Sequence, residues 1–453
     1  MLVESVTLRV DQRVGAGHSK QIKITDFTSE ALGVGRLESG QVAMLRGAVP
    51  GDTIAPKLDN SKRKGIAFGE IEQIIEPSEH RTEHKCPHYR EGCSGCLLGV
   101  YDYAAELRWK TDHLRQTLRR IGKIAEPDVR EIIKSPMQWN YRDRLELHLE
   151  LKDGIFNVGY ITQNGFIPVS DCNLGAKSIR DSIVSIKKIL PTLSFKISDH
   201  SFRLLIRDNG NGKSVAIIFT DTKSTENLEA LQNMIAHGNF AGWEIRYVAD
   251  YDLRFFFART LDKAGGTRIR VDIGEKTISL PLDSFTQTNR FNSSVLRKAV
   301  IDMVPKGASL LDMYGGYGAF ALEYAYQNEN GQALVIESSK TMLTAGKQFA
   351  KRENLAVRFS RINLRKLSKL DYPTGKYSCA VLDPPRSGLH GRVIQYLNDQ
   401  GPELLIYVSC KVAALARDLQ KLTSYDPEYF QPIDMFPNTP EIETVSLLRR
   451  NVK

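Results

Sequence analysis

The stretches CAVLDPPRSG (379–388) and LLIYVSCKVAALARDL (404–419) decide the fold. Each opens with a short apolar run that breaks off at reactive side chains. Asp383, Pro384, Pro385 and Arg386 end the first run, and Ser409 and Cys410 end the second. Runs of this length read as buried strands, and a helix-like segment follows the second. In an open α/β sheet, functional groups collect at the carboxyl ends of the strands. A carboxylate, a guanidinium and a thiol are therefore expected on one rim.

Working outward, strand and helix keep alternating upstream. DSFTQTNRFNSSVLRKAVIDMV (283–304) is a polar loop and then an amphipathic helix with Val295, Ala299 and Met303 on one side. ASLLDMYGGYGAFALEYAY (308–326) is strand, glycine turn, helix. ALVIES (333–338) is the next strand, MLTAGKQFAKREN (342–354) a helix, and VRFSRINL (357–364) a further strand. Residues 271–453 thus read as a doubly wound domain with a largely parallel sheet. Gly316-x-Gly318-x-x-Ala321, with Glu337 about 20 residues on, fits a ribose-binding fingerprint that NAD and S-adenosylmethionine share. Asp312, just before the turn, would repel a pyrophosphate but tolerate a sulfonium. Asp-Pro-Pro-Arg at a strand end is typical of methyltransferases acting on nucleobases. Cys379 lies inside its apolar strand and is expected to be buried and inert.

Towards the N-terminus, residues 13–77 carry short β-rich runs: QIKITDF, QVAMLRG, DTIAPKL and AFGEIEQII. GVGRL, Gly47, Pro50-Gly51 and Gly65 read as turns. This suits a small OB-like barrel, a shape often used on single-stranded nucleic acid. Lys62, Arg63 and Lys64 are expected in a loop beside it. HKCPHYREGCSGC (84–96) then places Cys86, Cys93 and Cys96 at metal-ligand spacing, and Cys172 is the nearest further cysteine. Four thiolates suit an iron–sulfur cluster or structural zinc, and spacing leaves both open. Residues 101–121 read as a helix buried along Leu107, Leu114, Leu118 and Ile121, with Arg108, Arg115 and Arg119 as a parallel basic stripe. From 127 to 270 the pattern is mostly antiparallel strand, with a helix near 176–190; substrate positioning is its expected task.

The formal net charge of +9 and pI of about 9.1 agree with a polyanionic partner such as nucleic acid. A 453-residue chain with 42% hydrophobic residues implies two or three globular domains. No run approaches the roughly 20 apolar residues of a membrane span. The start, MLVESVTLRVDQ, lacks the basic and apolar regions of a signal peptide. A cytoplasmic monomer without membrane attachment is expected.

The ordered motifs CPHYREGCSGC, SFTQTN, LLDMYGGYGAF, VIES, RINL, LDPPRSG, YVSCKVAALARDL and DMFPNTPEIETVSLL resemble the RNA uracil-5-methyltransferase family. Within it they resemble the subgroup with an N-terminal TRAM domain and an iron–sulfur cluster, including 23S rRNA methyltransferases. The resemblance runs from about 13 to 450. It implies a Rossmann-like class I methyltransferase domain (271–453), a TRAM barrel (13–77) and a β-rich iron–sulfur domain (78–270). It implies Cys410 as nucleophile and Glu443 as base. Gln287, Tyr314, Glu337, Asn363 and Asp383 match positions that hold S-adenosylmethionine. Cys86, Cys93, Cys96 and Cys172 match the ligands of a [4Fe-4S] cluster, which chooses between the two metal readings. Four positions depart from the family pattern: Gly315 for cysteine, Ala319 and Lys411 for asparagine, and Glu441 for histidine.

The expected activity is 5-methyluridine formation in RNA, with 23S rRNA as substrate or, alternatively, the T-loop of tRNA. An RNA-binding or assembly protein that lost turnover, and an NAD-dependent oxidoreductase, are the readings from other classes. Uracil C5 is a weak nucleophile, so the reaction requires a thiolate at C6 and a base for the C5 proton. The helix dipole after Cys410 is expected to favour the thiolate, and Lys411 either lowers the thiol pKa through its charge or reflects a different substrate fit. A base stacked in folded RNA must first be flipped out.

Overall fold

The computed structural model describes residues 21–451 except 64, 153–154, 163–164, 194–201, 222, 249–257, 330 and 374. The leading stretch, the first residues of the expected barrel (13–20), Lys64, and Ala249 and Asp250 of the WEIRYVAD run lie outside the described residues. The chain divides into two units, 1–82 and 83–453.

In the first unit, β1 (Ile22–Phe27), β2 (Gly33–Arg36), β3 (Val42–Arg46), β4 (Thr53–Arg63) and β5 (Ile66–Glu76) form a closed barrel in the order β1-β2-β3-β5-β4. Alternation drives closure: Ile22, Ile24, Ala43, Leu45, Ile54 and Ala67 point inward and are buried. GVGR is a strand rather than a turn. Its glycines serve close approach, since a Cβ on Gly33 would lie 2.5 Å from the Ala48 carbonyl oxygen. Lys62 and Arg63 are likewise in a strand, paired with Ala67 and Ile66 at the tip of the β4–β5 hairpin.

The second unit opens with α1 (Tyr103–Arg120), capped by Asp102, whose carboxylate accepts from the Ala105 N–H at 2.9 Å. Its buried face differs from the expected stripe. Leu114 and Leu118 are buried, but Ile121 is exposed, and Glu106, Trp109 and Lys110 complete the face. Arg108 and Arg119 are exposed, and Arg115 pairs with Asp112 at 2.7 Å.

There follow β6 (Arg144–Lys152), β7 (Ile155–Thr162), β8 (Gly165–Pro168), α2 (Lys177–Ile189), β9 (Phe202–Asp208), β10 (Ser214–Thr220), α3 (Thr225–His237), β11 (Gly242–Tyr247) and β12 (Arg259–Gly265). The strands form one sheet, β12-β11-β10-β9-β6-β7-β8, antiparallel except for the pair β10–β11. The α3 crossover makes that pair parallel, and the strand pattern gave no sign of this helix. Every residue of β10 is buried because both sheet faces are covered. Ala216 and Ile218 pack towards α2 and α3, and Val215, Ile217 and Phe219 pack on the other side.

A hairpin, β13 (Arg268–Ile273) and β14 (Lys276–Pro281), spans the expected 270/271 boundary. Then come α4 (Asn292–Ile301), β15 (Ser309–Met313), α5 (Ala319–Gln327), β16 (Gln332–Glu337), α6 (Lys340–Arg352), β17 (Val357–Arg361), β18 (Cys379–Leu382), α7 (Gly391–Gln400), β19 (Leu404–Ser409), α8 (Val412–Leu419), β20 (Tyr425–Ile433) and β21 (Glu443–Arg450). The sheet order is β17-β16-β15-β18-β19-β21-β20. Five strands are parallel, and β21 runs against both of its neighbours. Residues of α1, α7 and α8 cover one face, and residues of α4 and α5 the other. Phe349 and Ala350 of α6 share a core with the hairpin and β10, which joins the two large sheets. The outer edge of β20 is covered by the segment 128–133, through Arg130 N–H to Phe430 and Ile133 N–H to Pro432. No helix among the described residues is long and apolar enough to cross a membrane.

Gly33→Ala is expected to destabilise the barrel by about 1–3 kcal/mol, because the new methyl meets backbone rather than a movable side chain. Hydrogen exchange across 22–76 in the full chain would read the loss; unchanged protection would contradict it.

Candidate active site

The sheet order reverses between β15 and β18, which opens a crevice at their carboxyl ends. Just after β15, Tyr314, Gly316 and Gly318 take positive φ values of 62°, 60° and 87°, making a tight turn into α5. Gly315 has no room for a side chain, since its Cβ would stand 2.8 Å from the Asp312 carboxylate and from Val335. A side chain at this position would have to displace the Asp312 or Val335 side chain. Asp312 is fully buried; its Oδ2 accepts from the Ala321 N–H at 3.2 Å, and its Oδ1 has no partner. Burial pushes its carboxyl up to about 7, and the charges of Asp383 and Glu337 add to this.

Glu337 closes β16. Its Oε1 accepts from the Ser338 and Ser339 N–H groups at 2.6 and 2.8 Å, and its Oε2 from the Gly316 N–H at 3.3 Å. The acid thus ties the second strand to the glycine turn. Asp383 follows β18, and Gln287 donates to it at 3.4 Å. Burial pushes the Asp383 carboxyl up to about 7. Asn363 lies beyond β17, exposed, where its side chain accepts from the Arg365 N–H at 3.0 Å.

Cys410 follows β19 directly. Ser409 pairs with Thr444 of the antiparallel β21, so the register carries Cys410 to a place opposite Glu443. A residue 33 positions later in the chain is thereby brought beside the thiol. Glu443 is buried, and its carboxyl is raised well above the usual range by burial and then by Asp383, while Arg386 opposes the shift. The Cys410 thiol is pushed up to about 11 by burial and the Glu443 charge; Arg386, which hydrogen-bonds it, pulls the other way, and Asp383 adds a smaller upward push. This corrects the expected lowering: burial, then the Glu443 charge and a smaller push from Asp383, raise the thiol instead. Lys411 is exposed. The balancing cation is Arg386, held at 3.2 Å by Glu441.

Cys86, Cys93, Cys96 and Cys172 act on one another's charge. Cys86 and Cys96 are buried, and Cys93 and Cys172 are partly exposed. Burial raises the Cys96 thiol, and the charges of Cys172, Cys86 and Cys93 raise it further, so the four share one electrostatic neighbourhood. Among the described residues no group of three or more His, Cys, Asp or Glu is disposed to hold a metal ion. Arg142 carries a buried Nε without a partner, and its charge acts on Cys96. Cys379 is fully buried, as expected, and its thiol is pushed up to about 12.

A buried polar network lies behind the site, with almost no mark in the sequence. Lys110 is wholly enclosed, 2.7 Å from both Glu106 and Asp434. The only signal was Glu106 at i,i+4 from Lys110, which reads as an ordinary surface pair. Arg207 is as little marked. It is buried and donates to the Leu282 and Ser284 carbonyls at 2.9 and 2.6 Å, bracing the segment that leads to Gln287.

Residues 268–451 match the profile of the tRNA (Uracil-5-)-methyltransferase family. An RNA methyltransferase of Nanoarchaeum equitans, named as uncharacterized, is 29% identical over 417 residues, covering 89% of this chain and 88% of its own. The 23S rRNA (uracil(1939)-C(5))-methyltransferase RlmD of Legionella pneumophila (strain Lens) is 27% identical over 446 residues, covering 95% and 97%. The crystal structure of Pyrococcus abyssi tRNA (uracil-54, C5)-methyltransferase with S-adenosyl-L-homocysteine shares the fold, with a TM-score of 0.75 at 21% identity over 94% of this chain and 100% of that one.

Alkylation of Cys410, followed by peptide mass spectrometry, is expected to accelerate with pH towards 11. Arg386→Gln should slow it several-fold at fixed pH and Glu443→Gln should speed it by roughly as much, since one pKa unit is tenfold in thiolate. Shifts of the same sign in both variants would contradict the assigned charges.

Proposed function

Through residues 268–451 the chain belongs to the tRNA (uracil-5-)-methyltransferase family, S-adenosylmethionine-dependent enzymes acting on RNA, and from this we propose that it forms 5-methyluridine in 23S rRNA with Cys410 as nucleophile and Glu443 as base. The observation that carries this reading is the β19–β21 register, which sets a buried carboxylate opposite the thiol at the rim of the crevice. The near full-length likeness to a 23S rRNA methyltransferase favours ribosomal RNA.

The crevice residues Gln287, Tyr314, Glu337, Asn363 and Asp383 are proposed to hold S-adenosylmethionine. The glycine turn presents its backbone to a ligand, and the buried Asp312 stands beneath it. When bound, the group supplies an electrophilic methyl on a sulfonium. Cys410 adds as thiolate to C6 of a flipped uracil, and the electron pair of the C5–C6 bond becomes available at C5. Once C5 carries the methyl, Glu443 takes the C5 proton. The C6–S bond then breaks, the C5–C6 double bond returns, and the thiolate is released. Arg386 opposes the two carboxylates and so keeps the thiolate within reach.

Cys86, Cys93, Cys96 and Cys172 are proposed to hold a [4Fe-4S] cluster. Thiolates on a cluster each bind a different iron and stand further apart than four on one ion. The four thiols act on one another's charge, and the buried Arg142 Nε without a partner suits a negatively charged group among them. The barrel, of a shape used on single strands, is proposed to grip RNA.

Cys410→Ala should abolish methyl transfer. Glu443→Gln should accumulate a covalent RNA adduct, seen as a shifted band on a denaturing gel; loss of turnover without an adduct would remove Glu443 as base. Anaerobically purified protein should contain iron and sulfide in equal amounts, and zinc in their place would overturn the cluster. Mapping 5-methyluridine in cells lacking the protein should show the loss in 23S rRNA; a loss confined to tRNA would reassign the substrate.

A further inference from the structure

The loop between β20 and β21, residues 434–442, is not built like a surface connection. Loops lie outside because their backbone groups need water, yet Asp434, Met435, Asn438 and Thr439 are buried. Their polar groups find partners in the protein instead. Lys110 donates to Asp434 at 2.7 Å and to the Phe436 carbonyl at 3.1 Å. Tyr103 donates to the other Asp434 oxygen at 2.7 Å, and Glu106 accepts from the Asn438 N–H at 2.9 Å. All three side chains belong to α1, more than 300 residues away in sequence. From the cysteine-bearing segment, the Leu98 N–H reaches the Asn438 carbonyl at 3.0 Å.

The two ends of this loop are Ile433 and Glu443, paired directly across the strands. Asp434 is thus adjacent to the residue that faces Glu443. Burial opposes the Lys110 charge, but Asp434 and Glu106 outweigh it and hold the ammonium well above its usual range. Removing that cation would leave two buried carboxylates facing each other. Asn438 meanwhile holds a left-handed backbone, φ 64°, which the surrounding bonds must maintain.

We propose that α1 positions Glu443 through the 434–442 loop, with Lys110 as the positioning residue for proton removal. The proposal rests on Glu443 being the base. Its signature is kinetic: a displaced base leaves attack on C6 and methyl transfer intact and slows release of the RNA.

The test uses the full chain with S-adenosylmethionine and pooled ribosomal and transfer RNA transcribed without modification. A second RNA pool carries 5-fluorouridine, which has no C5 proton to remove. Lys110→Arg and the milder Tyr103→Phe are expected to form adducts on the fluorinated RNA at the wild-type rate. On uridine RNA the same variants should accumulate methylated adduct and release product on the order of tenfold to a hundredfold more slowly, as for small displacements of catalytic groups. A parallel fall on both RNAs would show a role in folding or binding, and wild-type turnover would show no role; either overturns the proposal. Glu443→Gln is run alongside. If it accumulates no adduct, the base assignment falls, and the proposal with it.

Discussion

Ser409 opposite Thr444 is the pairing on which the site depends. Strand side chains alternate between faces, so a slip of one residue would turn Glu443 away from Cys410. Register is held where both faces are buried. Every residue of β19 is buried, and so are the first six of β21. The apolar runs that make the strands fold are thus the same ones that place thiol and carboxylate together. Arg386 then enters from the neighbouring strand end, and Glu441 holds it.

The two large sheets are not separate bodies joined by a tether. Val215, Ile217 and Phe219 of one share a core with the β13–β14 hairpin and with α6 of the other. Arg207, on β9, reaches across to the segment before Gln287. The central sheet thus helps to shape the floor of the crevice.

Much of this was legible in the residues. The Asp383 and Cys410 strands, the glycine turn and four of the five barrel strands announce themselves through apolar runs, alternation and turn residues. What stayed hidden depends on contacts distant in sequence. Nothing near Glu106 or Lys110 marks them as buried, because their partner Asp434 lies more than 300 positions on. GVGR reads as a turn because glycine is common in turns; only the crossing backbone at Ala48 explains why it is a strand. The Cys410 thiol was expected to be lowered by its local helix, but burial raises it first and the Glu443 charge next, against Arg386, none of which the local sequence can place.

The covered edge of β20 bears on the autonomy of the domain. The family profile begins at residue 268, yet the segment that pairs with β20 is 128–133. The counter-charge for Asp434 comes from α1. Cut at the profile boundary, the C-terminal part would display an unpaired strand edge and bury a carboxylate without its cation, the conditions for aggregation and local unfolding. The boundary of sequence similarity is therefore not a boundary of independent folding. The smallest stable piece containing the site has to begin before α1.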